Sequence, residues 1–217
     1  MCKSHYLVVT ACVLLAAATW GASASRADLI LYTAALSGLG ESPPDSPGTG
    51  LAQIDYDNTA HTMRVRATFS GLLGNTTASH IHSPTAVPLT GNAGVATTLP
   101  TFAGFPLGVT SGSYDNTLDL TLASSYNPSF ITAHGGTPAS AEADLVSYFA
   151  AGRSYFNIHT SLYSGGEIRG FLQPIPEPST LMLAAAGLAT AMCLAARSCA
   201  RNWKRSLTCR TETPIGQ

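Results

Sequence analysis

The segment Gly152–Leu172 constrains the fold more than any other stretch of this sequence. It contains two runs of alternating residues separated by a Gly-Gly pair, a pattern that predicts a β-hairpin. Alternation places Asn157 and His159 on one face of the first strand. In the second strand, Glu167 and Arg169 share a face. The hairpin therefore offers one apolar face to a core and a second face rich in polar and ionisable groups.

Short strands of the same kind continue through the chain. Met63–Phe69 and Asn116–Leu122 alternate between apolar and polar residues, and turn residues separate them from their neighbours. A single helix is predicted over Ala139–Ala151, where Thr137 suits the N-cap position and Leu145 belongs to the apolar stripe. Short strands with one late helix predict a mainly β fold, an antiparallel β-sandwich.

The N-terminal residues differ in composition from the middle of the chain. Residues 1–27 have a weakly basic start, an apolar run and small residues before Asp28. This order predicts a secretory signal peptide, with an uncut membrane anchor as the alternative.

The C-terminal part, residues 176–205, begins with Pro176, Glu177 and Pro178. An uncharged run over 181–196 follows, and basic residues come after it. The run predicts a transmembrane helix whose basic flank stays on the cytoplasmic side while the main domain lies outside. Residues 206–217 are a basic and polar tail.

The part between these ends, residues 28–175, is long enough for one domain with its own core. It contains ten acidic residues, four arginines and no lysine. Such an acidic surface argues against nucleic acid as a partner. All five cysteines lie outside it, so it forms no internal disulfide.

Three histidines are the candidate metal ligands. His80 and His82 are two residues apart on one predicted strand, and His159 can face them from a neighbouring strand. Two histidines on one face of a strand, with a third from elsewhere, suit copper or zinc through imidazole nitrogens.

A structural interpretation of the same residues stays open. The histidines can form a hydrogen-bonded network with Asn157, Glu167 and Arg169 that holds strands together, since buried polar groups need partners. Glu167 and Arg169 can also be a cross-strand pair at a sheet edge. The sequence nominates no catalytic residue, because it has no nucleophile elbow and no recognisable carboxylate pair.

Four segments carry a resemblance to a known family: Glu41–Pro44, Phe69–Leu72, Ser79–His82 and Asn157–Gly170, the last containing Gly166. They resemble the CHRD domain, a module named from chordin and widespread in bacterial exported proteins. The resemblance runs from about Leu31 to Gln173. It implies a β-sandwich of immunoglobulin-like or superoxide dismutase-like type, with no defined reaction, and it puts the three histidines on motif positions.

The C-terminal order of Pro-Glu-Pro, apolar helix and basic cluster resembles the PEP-CTERM sorting signal of bacterial envelope proteins. The resemblance implies an exosortase-type processing enzyme as a partner and export to the cell envelope or the extracellular matrix. We therefore expect a non-enzymatic binding or structural role there, with an envelope or matrix component as a further partner. The alternative is a copper- or zinc-binding redox protein, similar to superoxide dismutase, that uses His80, His82 and His159.

Overall fold

The fold is taken from a computed structural model that describes residues 29–41, 46–175, 187–188 and 190–192. The chain divides into two compact units, Met1–Ile175 and Pro176–Gln217. The predicted signal peptide, the Pro176-Glu177-Pro178 motif, most of the predicted helix over 181–196 and the polar tail lie outside the described residues. Within the described ranges, no helix is both long enough and apolar enough for a membrane crossing.

The described part of the first unit is built mainly from strands. The strands are β1 Leu29–Ser37, β2 Thr49–Asp57, β3 Thr62–Ser70, β4 Thr76–His82, β5 Gly112–Asp119, β6 Tyr155–Thr160, β7 Ile168–Phe171 and β8 Gln173–Pro174. The helices are α1 Pro128–Ala133 and α2 Pro138–Ala150, with 3-10 turns at Gly38–Gly40 and Ala123–Ser125.

All of these strands belong to one antiparallel sheet with the order β4-β6-β7-β1-β2-β3-β5, and β8 pairs with β1. The sheet curls, so that its inner face encloses the core. Phe102 shows this curvature, because it stacks on Phe156 of β6 at 6.0 Å and on Tyr114 of β5 at 5.8 Å. The mainly β, antiparallel fold is confirmed, and the predicted sandwich takes the form of one continuous curled sheet.

Binary patterning explains the long strands. On β3, Met63, Val65 and Ala67 are buried, and the residues between them are exposed or half-buried. Burying such side chains stabilises the fold by about 1.5–3 kcal/mol for each large aliphatic residue. A one-residue slip would turn this apolar set to solvent, so the pattern fixes the register.

The predicted helix is α2, displaced by one residue. Thr137 accepts a hydrogen bond from the Ser140 N–H and forms a capping box, and Pro138 occupies the first turn. Phe149 packs edge-on against Tyr32 of β1, with ring centroids 5.3 Å apart. The short helix α1 was not predicted from the sequence.

Strand β6 is buried on both faces, which positions the site. Phe156 and Ile158 face the core. The opposite face carries Asn157 and His159, and the long connection over residues 83–111 lies against the same face of β4. Polar side chains are thereby enclosed without joining the apolar core.

Candidate metal centre

Two neighbouring strands bring the three histidines together. In the antiparallel register of β4 and β6, Ala78 lies opposite His159 and His80 lies opposite Asn157. Because side chains two residues apart share a face, His80, His82 and His159 project to the same side. Their ring centroids lie 5.2–5.9 Å apart. These three residues are called the histidine cluster below.

Each ring of the cluster makes one hydrogen bond to a backbone carbonyl. His80 Nε2 lies 2.6 Å from the Pro100 oxygen, His82 Nδ1 2.9 Å from the Ala93 oxygen and His159 Nδ1 2.9 Å from the Ser164 oxygen. A carbonyl oxygen only accepts, so these nitrogens carry the hydrogen and donate it. In a neutral ring the other nitrogen then has a free lone pair. This arrangement is typical of metal-ligating histidines, whose second nitrogen is fixed by an outer partner.

The free nitrogens of His82 and His159 face each other. Nε2 of His82 and Nε2 of His159 lie 3.3 Å apart, and Nδ1 of His80 is buried without a hydrogen-bond partner. The ligand atoms of the cluster lie within 4.8 Å of one another. Metal–nitrogen bonds of about 2.0–2.1 Å place neighbouring ligand nitrogens about 3.3–3.5 Å apart, so the closest pair already has the spacing of a shared ion.

Burial keeps the cluster uncharged. The side chains are 5–9% exposed, and this burial lowers the pKa of His80 and of His82 to about 4. Burial also lowers the pKa of His159. At neutral pH the imidazoles are therefore unprotonated, which is the form that binds metals.

Aromatic stacking holds the cluster from one side. The Tyr155 ring stacks on the His82 ring with centroids 4.9 Å apart and an interplanar angle of 7°. The guanidinium of Arg169 lies over the Tyr155 ring at 4.8 Å. Tyr155 thus limits the rotation of His82 and lies between its ring and the Arg169 guanidinium.

Asn157 and Gly166 support the loop that fixes His159. The Asn157 side chain donates to the Gly165 carbonyl at 3.3 Å, next to the Ser164 carbonyl that accepts from His159. Gly166 has φ +129°, and a Cβ there would collide with Asn157 and with the Glu41 carboxylate. Glycine adopts this positive φ without strain and has no Cβ, so position 166 requires glycine.

Glu167 has a structural role that differs from the predicted one. It lies just before β7 and is 1% exposed. Its carboxylate accepts hydrogen bonds from four donors. They are the backbone N–H groups of Leu73 and Gly74 and the hydroxyls of Ser46 and Thr160. Burial by itself raises the pKa of Glu167, but these bonds outweigh it and hold the pKa below its ordinary value.

The interpretation of Glu167 and Arg169 as an edge pair is wrong. Strand β7 lies between β6 and β1, so it is not at an edge. Arg169 donates to Asn92 at 2.6 Å, and its Nε lies 3.9 Å from a Glu41 carboxylate oxygen. Both partners come from loops distant in sequence, and no local pattern indicates them.

Two further histidines of the described residues lie outside the cluster. His61 is exposed in the turn between β2 and β3, and its Nδ1 lies 2.9 Å from the carboxylate of buried Glu142. Glu142 also accepts from the Tyr56 hydroxyl at 2.8 Å. His134 pairs with Asp144 at 2.9 Å between α1 and α2.

Two family models match this chain. The CHRD domain matches residues 32–172, and the PEP-CTERM protein-sorting motif matches residues 174–201. The chain belongs to the CHRD domain family. No curated protein and no solved structure shows significant similarity to it. Both resemblances are confirmed, and together they identify a CHRD protein that an exosortase-type system sorts to the cell envelope or the extracellular space.

Proposed function

We propose that this CHRD protein binds one transition-metal ion, copper or zinc, through His80, His82 and His159, and that its role outside the cell is non-enzymatic. The observation that carries the proposal is that the three rings offer ligand nitrogens within 4.8 Å of one another, while each ring donates from one nitrogen to a backbone carbonyl. This is the preorganisation that an imidazole metal site requires.

A purely structural network explains the cluster less well. In a satisfied network each buried nitrogen has a partner. Within the part of the chain that the structure describes, Nδ1 of His80 has none, and the facing nitrogens of His82 and His159 are both acceptors when the rings are neutral. A cation between the rings supplies all three with a partner.

Burial favours binding over catalysis. Catalytic metal sites keep an open coordination position for water or substrate. The three rings are at most 9% exposed, and loop residues cover them. A superoxide dismutase-like redox role needs substrate access, so a metal-binding role is the better match.

The sorting motif gives the proposal a location. We expect the helix over 181–196 to anchor the protein transiently in the inner membrane until an exosortase-type enzyme processes it near Pro176-Glu177-Pro178. The CHRD domain then remains outside the inner membrane, where an envelope or matrix component is its further partner. There the site can take up metal from the surroundings.

Metal content tests the proposal. The full chain, exported and purified without a His tag or chelator, is incubated with copper or zinc, desalted and assayed by mass spectrometry. His82→Ala removes one ligand, and His134→Ala is the matched control because its ring pairs with Asp144. We expect one metal ion per chain in the wild type and in the control. His82→Ala should lose this ion. Equal metal in His82→Ala and the wild type would refute the site, since the cysteines outside residues 28–175 would then be the ligands.

A further inference from the structure

We propose that the histidine cluster selects Cu(I) over Zn²⁺ and Cu²⁺. This inference rests on the proposed metal site and concerns which ion it takes. Three features of the structure support it: the charge of the ligand set, the placement of the nearby carboxylates and the number of ligands.

The ligand set carries no negative charge. Among the described residues, the group with metal-ligand spacing consists of His80, His82 and His159, without a carboxylate or a thiolate. A bound ion therefore keeps its full charge in a buried site. The desolvation cost of an ion rises with the square of its charge, so a divalent ion costs about four times as much as a univalent one.

The nearby carboxylates do not offset this cost. Glu41 is paired with Arg169, whose guanidinium lies on the Tyr155 ring that stacks on His82. Glu167 accepts from Thr160, which points to the opposite face of β6 from His159 because successive strand residues alternate. Among the described residues, one of these two carboxylates is thus opposed by an arginine and the other is bound on the opposite face of the strand.

The number of ligands also favours Cu(I). Structural zinc sites are almost always four-coordinate, and Cu²⁺ prefers tetragonal geometry with at least four ligands. Cu(I) has a filled d shell and accepts three ligands in a plane. The cluster supplies three ligand atoms within 4.8 Å of one another, which is the number of ligands that a trigonal Cu(I) ion accepts.

Competition between ions tests the inference. The full chain is loaded anaerobically with Cu(I) buffered by bicinchoninate, and Zn²⁺ binding is measured separately against the chromophore 4-(2-pyridylazo)resorcinol. We expect one equivalent of Cu(I), lost in His82→Ala, that an excess of Zn²⁺ of about 100-fold does not displace. Oxidation with ferricyanide should release the copper, since three ligands do not complete the tetragonal geometry that Cu²⁺ prefers.

A variant with one negatively charged ligand tests whether the charge of the ligand set determines the preferred ion. His159→Asp replaces a neutral ligand by a carboxylate, and we expect it to shift the preference towards Zn²⁺ by at least about tenfold. Circular dichroism checks that this variant is folded, and the wild-type competition decides the question if it is not. Wild-type protein that binds Zn²⁺ at the cluster more tightly than Cu(I) would overturn the inference and leave the metal site standing. Binding of neither ion at the cluster would refute both.

Discussion

Replacing Glu167 by glutamine should be among the most damaging isosteric changes in this domain. The carboxylate accepts from four donors, which belong to the loop before β2, the loop between β3 and β4, and the end of β6. Glutamine keeps one acceptor oxygen and brings an NH₂ group against donors. Hydrogen bonds to charged groups contribute about 1.5–3 kcal/mol each, and breaking a buried charged network typically costs about 3–5 kcal/mol.

We therefore expect Glu167→Gln to lower the free energy of unfolding by about 3–5 kcal/mol. For a domain of this size, a loss of about 3 kcal/mol corresponds to a decrease in Tm of about 6–12 °C. Urea titration of the full chain, monitored by circular dichroism, measures the loss of unfolding free energy. Asp115→Asn is the control, because the Arg64–Asp115 pair is about half exposed on both sides and surface ion pairs contribute little to stability.

The pH dependence separates charge from packing. The folded pKa of Glu167 is lowered, so its stabilisation is present above the unfolded value of about 4.5 and is lost as the pH falls through the lower folded pKa. The difference between wild type and Glu167→Gln should therefore shrink in acid. A loss below about 1 kcal/mol at pH 7, or a difference that does not change with pH, would refute this account of Glu167.

Three further predictions follow from the site. Gly166→Ala should destabilise the domain by at least about 2 kcal/mol in urea unfolding because of the positive φ and the collision with Asn157, whereas Gly165→Ala meets open space and should change little. Copper or zinc at a free concentration of about 100 times its Kd should stabilise the wild type and His134→Ala by about 2.7 kcal/mol in thermal unfolding. An equal stabilisation of His82→Ala would argue against the site. The metal-free protein should lose stability as the pH falls from about 6.5 to 4, because burial lowers the pKa of His80 and His82 and the unfolded chain takes up the protons first. Constant stability across that interval would contradict the buried, neutral state of the rings.

Strand periodicity and helix capping explain which strands and which helix could be predicted from the sequence. The alternation over Met63–Phe69 reappears as the buried face of β3, and Thr137 with Pro138 begins α2. The shared face of His80 and His82 follows from the period of a strand. These features depend on residues close together in sequence, so local rules are sufficient for them.

The remaining features depend on contacts between distant loops. The carbonyls of Ala93 and Pro100, which orient two of the rings, belong to a connection without periodic structure. Any residue offers a carbonyl, so no residue type marks these two acceptors. The role of Glu167 has no sequence signal for the same reason, because two of its four partners are backbone N–H groups.

X-ray absorption at the copper edge of the loaded, full-length protein identifies the atoms that bind the ion. Ligation by the histidine cluster predicts three nitrogen scatterers at about 2.0 Å with the multiple scattering of imidazole rings, a pattern that His82→Ala should lose. Sulfur scatterers at about 2.3 Å would place the copper on cysteines instead. That result would contradict the metal site in the CHRD domain.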